Sequence, residues 1–245
     1  PPPGGARRLA GPFFLRRDRG GECRTWDGHL RRYPLRPARP TPTQLRALAR
    51  RDPALGAAMK DLPPFPELPG KPRRPYFHTL ARIIIYQQLA TAAARTIHGR
   101  VQALSPRPRR FPTAPELLAI PEKELKEAGL SRSKLKAIRS LAQQVVEGSL
   151  KLRSLSRLPD GEVIRQLTAV WGIGEWSAQM FLLFHLGRLD VFAPGDLGLQ
   201  EGIRVLDGLD ERPRPQEAEE RAEVWRPLRS VASWYLWRLV DGEEV

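Results

Sequence analysis

Cysteine occurs once in the 245 residues, at Cys23. A single thiol excludes a disulfide framework, a four-cysteine zinc site and a four-cysteine iron–sulfur cluster, and it fits a reducing compartment. Long apolar runs are missing as well. None approaches the ~20 uninterrupted residues that cross a bilayer, which excludes a membrane-spanning helix, and no charged n-region followed by an apolar h-region opens the chain at Pro1. Strand signals are scarce: alternating β-branched runs are few, and no Asn-Gly or Asp-Gly turn joins two of them. Acid is the scarcer charge, with 27 Asp and Glu against 41 Lys and Arg, a net charge of +14. Such an excess points to a polyanionic partner such as nucleic acid, with an acidic protein or a membrane surface as the other openings.

What is present is helical. At 245 residues the chain holds one large domain or two small ones. Residues 1–40 carry ten Arg against three acids, together with seven Pro and six Gly, which predicts a loosely ordered basic arm or an extension lying on the body. From Thr43, a candidate cap, apolar residues recur at three- and four-residue steps. A proline-rich linker covers 63–75, and the pattern predicts helices over Tyr76–Leu89, from Thr91, at 114–120, at 121–128, from Ser131, and from Asp160 to Val170. The expected fold class is all-α.

The most informative stretch is Leu167-Thr168-Ala169-Val170-Trp171-Gly172-Ile173-Gly174-Glu175-Trp176-Ser177-Ala178. One helix ends, a Gly-Ile-Gly turn reverses the chain, and a second helix begins near Glu175. Two glycines permit positive φ and close backbone approach, so that the exposed N–H groups of Gly172, Ile173, Gly174 and Ser177 make an anion site. Ile173 is expected to tuck back between the helices. A bare Gly-x-Gly is also found in ordinary helix hairpins.

Five ordered blocks go further: I-I-Y-Q-Q-L-A-T-A-A-A (84–94), G-L-S-R-S-K (129–134), V-W-G-I-G-E-W-S-A (170–178), L-G-R-L-D-V-F-A-P-G-D-L-G-L (186–199) and W-R-P-L-R-S-V-A-S-W-Y-L-W (225–237). Over residues 43–240 the chain resembles the helix-hairpin-helix DNA glycosylases, most closely the 3-methyladenine glycosylase II branch. The resemblance implies two helical lobes with a cleft between them, one joining 41–84 to 195–245 and the other running over 85–194. It implies hydrolytic removal of alkylated purines from double-stranded DNA by a monomer that needs no cofactor and no membrane. The expected compartment is the bacterial cytoplasm for a bacterial source and the nucleus for a eukaryotic one.

By the same resemblance Asp196 is the catalytic carboxylate, although after Pro194-Gly195 and before an apolar run it also reads as a helix N-cap. Trp176 stands where relatives that cleave the strand carry a lysine, so no amine is placed to form a Schiff base. Trp176, Trp237, Met180 and Tyr235 are the pocket candidates, with core positions as the alternative for each. Gln88, with Gln87, matches the loop that fills the gap left by a flipped base, or a simple kink between helices. Arg132, Lys134 and Arg229 are candidates for phosphate contacts, and the carbonyls of Thr168, Val170 and Ile173 for a monovalent cation. Asp190, His78, His98 and His185 read as structural. Two rival functions stand: a DNA-binding protein that uses the hairpin without chemistry, and a glycosylase for a neutral base such as uracil.

Overall fold

A computed structural model describes residues 39–66 and 75–242. The basic arm, up to residue 38, and the middle of the proline-rich linker lie outside the described residues. Among the described residues twelve α-helices follow one another: α1 (Pro42–Arg51), α2 (Pro53–Asp61), α3 (Tyr76–Tyr86), α4 (Thr91–Ala103), α5 (Ala114–Ala119), α6 (Glu122–Glu127), α7 (Arg132–Glu147), α8 (Asp160–Thr168), α9 (Glu175–His185), α10 (Leu197–Asp207), α11 (Pro215–Ala222) and α12 (Arg229–Gly242). No strand occurs among the described residues.

Local chemistry sets the helix ends. Thr41, not Thr43, caps α1: its hydroxyl accepts from the Gln44 N–H while the Gln44 side chain accepts from the Thr41 N–H, and Pro42 occupies the first turn, where no donor is needed. Ser131 caps α7 through the Lys134 N–H, as its position predicts. Helix α3 stops at Tyr86 and not at Leu89, because Gln87 turns extended and Gln88 takes φ 55°, outside the helical range. Helix α8 likewise ends at Thr168, two residues before Val170.

Two apolar cores result. One gathers α3 to α9 around Leu80, Ile84, Leu117, Ile138, Leu141, Leu167 and Phe181. The other gathers α1, α2 and α10 to α12 around Leu48, Leu55, Leu199, Trp225 and Leu236. Helix α9 serves both, with Phe181 and Leu182 in the first core and Met180 in the second. That double duty explains why its sequence lacks a polar face. The expected lobe boundary at 84 moves: Phe77, Leu80 and Ile83 belong to the first core, so α3 is part of the hairpin lobe and the division falls before Tyr76.

The terminal lobe is locked at two places. A Cβ on Gly202 would lie 2.6 Å from Leu236 Cβ, so only glycine lets α10 press against α12. Asp52, buried at the start of α2, accepts from the Leu55 N–H (3.0 Å), Trp225 Nε1 (2.7 Å) and an Arg221 guanidinium nitrogen (2.6 Å). Burial pushes this carboxyl up, but the three donors and the Arg221 charge outweigh it and hold the pKa below the ordinary 3.8.

Candidate active site

The hairpin runs from the end of α8 to the start of α9. Gly172 adopts φ 85°, and a Cβ there would meet Ala137 Cβ at 2.6 Å, so the turn rests directly on α7. Gly174 does not use positive φ as the sequence suggested. It is extended (φ −86°, ψ 172°), with open space where a Cβ would stand. Ile173 is buried in the first core, which pins the turn and leaves Gly172, Gly174 and Glu175 exposed. No side chain caps the start of α9, so its first N–H groups remain available to an anion.

Across the seam between the cores, the 193–195 turn delivers Asp196 to the N-cap of α10. Its own N–H donates to the Ala193 carbonyl (2.9 Å), and the Gln200 side chain braces the turn through the Pro194 carbonyl (2.8 Å). Asp196 Oδ1 accepts from the Leu199 N–H (2.9 Å) and from Trp237 Nε1 (3.0 Å). Oδ2 accepts from Trp176 Nε1 at 2.7 Å. The cap and the meeting with the aromatics therefore coexist on one carboxylate, which is 6% exposed. Gly198 makes room for them, since a Cβ there would lie 3.0 Å from Trp237 Cδ1 and 3.1 Å from Asp196 Oδ1. Trp237 also stacks on Phe184, with centroids 5.8 Å apart. Phe184 escaped the sequence reading because α9 offers apolar residues on every side.

The other candidates divide. Met180 is buried in the terminal core beside these rings. Tyr235 is 3% exposed and its hydroxyl accepts from the Phe65 N–H (3.2 Å), so its polar atom serves the core and the pocket assignment does not hold. Ser177 is buried, its hydroxyl facing Gln87 and not solvent, so only its backbone remains for an anion. Arg229 is engaged by Asp190 (2.9 Å), Glu219 (3.1 Å) and Glu223 (3.5 Å), which replaces the expected phosphate contact with an internal ion-pair cluster and gives Asp190 its structural role. Lys134 donates to the Ile85 carbonyl at 2.7 Å, and burial pushes its ammonium pKa down. Arg132 is exposed at the start of α7, the helix on which the turn rests. So is Trp171, 45% exposed in the turn with Lys136 Nζ 4.3 Å from its ring centroid; an exposed indole next to a glycine turn was a signal the sequence already held. Gln88 is exposed at the tip of the α3–α4 turn.

The turn's carbonyls divide by their partners. Val170 O accepts from the Ile173 N–H (3.1 Å), whereas the Thr168 and Ile173 carbonyls join none of the turn's own backbone hydrogen bonds. Thr168 ends α8, where carbonyls are left without an intrahelical partner, and Ile173 lies two residues before α9. Among the described residues no group of three or more His, Cys, Asp or Glu is arranged to hold a metal, and no helix is long and apolar enough to cross a membrane.

Helix α8, a glycine turn pinned by buried Ile173 and helix α9 with its first N–H groups uncapped by any side chain define the helix-hairpin-helix class. The family model for the HhH-GPD superfamily base excision DNA repair protein matches residues 81–227, and the chain belongs to that family. It is 32% identical over 167 residues to DNA-3-methyladenine glycosylase 1 of Schizosaccharomyces pombe, covering 68% of this chain and 72% of that one. A solved structure of the S. pombe 3-methyladenine DNA glycosylase in complex with abasic DNA superposes with a TM-score of 0.73 at 28% identity, covering 80% of this chain and 95% of the other. The DNA-3-methyladenine glycosidase of Bacillus halodurans also gives 0.73, at 32% identity, covering 83% and 92%.

Proposed function

We propose that this chain excises alkylated purines of the 3-methyladenine and 7-methylguanine type from double-stranded DNA, as a monofunctional glycosylase. The observation that carries the reading is the double indole contact on Asp196. Alkylation at a ring nitrogen makes the base cationic, so the C1′–N bond breaks with its electron pair going to a base that leaves neutral. The sugar is left as an oxocarbenium ion. Asp196 offsets that charge, water adds to C1′ and loses its proton, and an abasic site and a free base result.

A carboxylate already engaged by three donors is better placed to offset charge than to carry off a proton. It suits a reaction driven by a good leaving group better than one that depends on forceful activation of water. Indole π faces favour a cationic base, whereas uracil leaves as an anion, which disfavours the neutral-base alternative. A purely DNA-binding hairpin protein would have no use for a carboxylate held between the lobes by neutral donors alone. In the same reading Gly172, Gly174 and the start of α9 grip a phosphate, with a monovalent cation on the Thr168, Val170 and Ile173 carbonyls. Gln88 fills the vacated stack, and the protein works as a monomer without a cofactor.

The test is incubation with N-methylated, uracil-containing and undamaged duplexes, followed by chromatography of the freed bases and addition of borohydride during turnover. Methylated purines should be released. No protein–DNA adduct should be trapped, because Trp176 supplies no amine. Release of uracil alone, or a trapped adduct, would overturn the reading.

A further inference from the structure

Gln87 is held in a way that neither catalysis nor a helix kink requires. Its backbone N–H still closes α3 on the Ile83 carbonyl (3.2 Å). Its side-chain amide reaches across the fold to the hairpin, where Nε2 donates to the Gly172 carbonyl (3.1 Å) and to Ser177 Oγ (3.1 Å). The Gly172 carbonyl can only accept, which fixes the amide with nitrogen inward and uses both of its hydrogens. Two residues back, Lys134 of α7 holds the Ile85 carbonyl at 2.7 Å. Ile85 is thus tied to α7 and Gln87 to the hairpin, and the next side chain outward is the exposed Gln88 at φ 55°.

We infer that Gln87 is a positioning residue, a strut that mounts the inserting loop on the DNA-gripping hairpin. The turn that binds backbone and the side chain that replaces the flipped base then move as one body. The role rests on the proposed insertion of Gln88. Gly172 is itself pinned against Ala137 and Ser177 is buried in the first turn of α9, so both acceptors belong to the rigid side of the contact. Gln88 then stands at a set distance from the Gly172 turn before any base is extruded. Without the strut the loop remains, but its tip must be ordered during flipping, and that cost falls on paired DNA alone.

Gln87→Glu keeps the length of the side chain and replaces both donors with acceptors facing the Gly172 carbonyl. Single-turnover excision is measured on three matched substrates: a paired duplex, the same lesion opposite an abasic gap, and a single strand. Anisotropy on undamaged duplex and a melting curve accompany it. Gln87→Glu should slow excision from the paired duplex about tenfold or more, the scale of a lost hydrogen bond or two. It should leave excision of the other two substrates near the parent's under saturating single-turnover conditions, while the added charge beside the gripping turn lowers duplex affinity. Ser177→Ala, which removes one of the two acceptors, should shift the same ratio in the same direction by less, and carries the test where Gln87→Glu does not fold. Equal loss on all three substrates, or no loss on the paired one, overturns the strut. Gln88→Ala is run alongside: a duplex-specific defect for Gln88→Ala without one for Gln87→Glu removes the strut and keeps the wedge, whereas no duplex-specific defect for Gln88→Ala removes the wedge and the strut with it.

Discussion

Trp237 Nε1 donates to Asp196 Oδ1 at 3.0 Å, the same oxygen that accepts the Leu199 N–H at 2.9 Å and caps α10. One oxygen therefore fixes both a helix terminus and an aromatic ring, while its twin holds Trp176. The terminal lobe repeats the device away from the cleft, where Asp52 caps α2 and accepts from Trp225 Nε1. The difference lies in the partners. Asp52 also carries the Arg221 guanidinium, which neutralises it, whereas the donors on Asp196 are neutral, leaving its negative charge for a cation in the cleft.

Asp196→Asn tests that charge. An amide oxygen can still cap α10, since Asn is as good a cap as Asp, but the amide nitrogen meets the Trp176 N–H as donor against donor. The expected outcome is a loss of excision of about 10²–10³ in single-turnover rate with duplex binding retained and a modest fall in melting temperature. Excision at the parent's rate would reduce Asp196 to a cap.

Gly198→Ala tests the spacing. Its methyl group would stand 3.0 Å from Trp237 Cδ1 and 3.1 Å from Asp196 Oδ1, closer than the pair tolerates without moving. Misplacement of a catalytic group costs on the order of 10–10²-fold in rate. The excision rate should fall by that much, with hairpin-mediated DNA affinity unchanged and an altered tryptophan emission. An unchanged rate would mean that Trp237 yields freely and does not orient the carboxylate.

Much of this was legible in the residues. The Ser131 cap, the Gly-Ile-Gly turn, buried Ile173 and the all-helical body follow from short-range chemistry written in contiguous sequence. Lobe membership was not legible for α3, because an apolar helix reads the same whichever core it enters. Nor was the fate of Arg229, whose side chain is spent on Asp190 39 residues away and on Glu219 ten residues away. Tyr235 and Trp237 illustrate the same limit within one helix: two residues apart on α12, they point to different surroundings, one to the Phe65 N–H and the other to Asp196.

The hairpin glycines should separate binding from folding. Gly174 is extended with open space at its missing Cβ, so Gly174→Val should fold normally and weaken binding to damaged and undamaged duplexes alike, because a branched side chain would stand where a phosphate approaches. Gly172→Ala should behave differently. At φ 85°, and with Ala137 Cβ 2.6 Å away, it strains the turn and displaces α7, lowering the melting temperature by a few degrees, the scale of about 1–2 kcal/mol. Gel-shift titrations with parallel melts distinguish the two. Unchanged affinity in Gly174→Val would show that the turn does not grip DNA.

Acid should weaken the terminal lobe through Asp52. Its folded pKa is depressed below 3.8, so the carboxylate contributes stability that is present above the unfolded-state pKa and is lost as pH falls through the folded one. Asp52→Asn keeps a capping oxygen for Leu55 but gives up the charge facing Arg221, and breaking a buried contact of this kind costs about 1–3 kcal/mol. The variant should therefore melt several degrees below the parent at neutral pH. The gap should narrow progressively below about pH 4, where the unfolded parent's Asp52 begins to take up a proton that the folded one still refuses. Melting curves of both proteins from neutral to acidic pH supply the check, with excision measured at neutral pH to confirm that the active cleft is untouched. A gap that stays constant with pH would show that packing around Trp225, and not the Asp52 charge, holds α2 against α11 and α12.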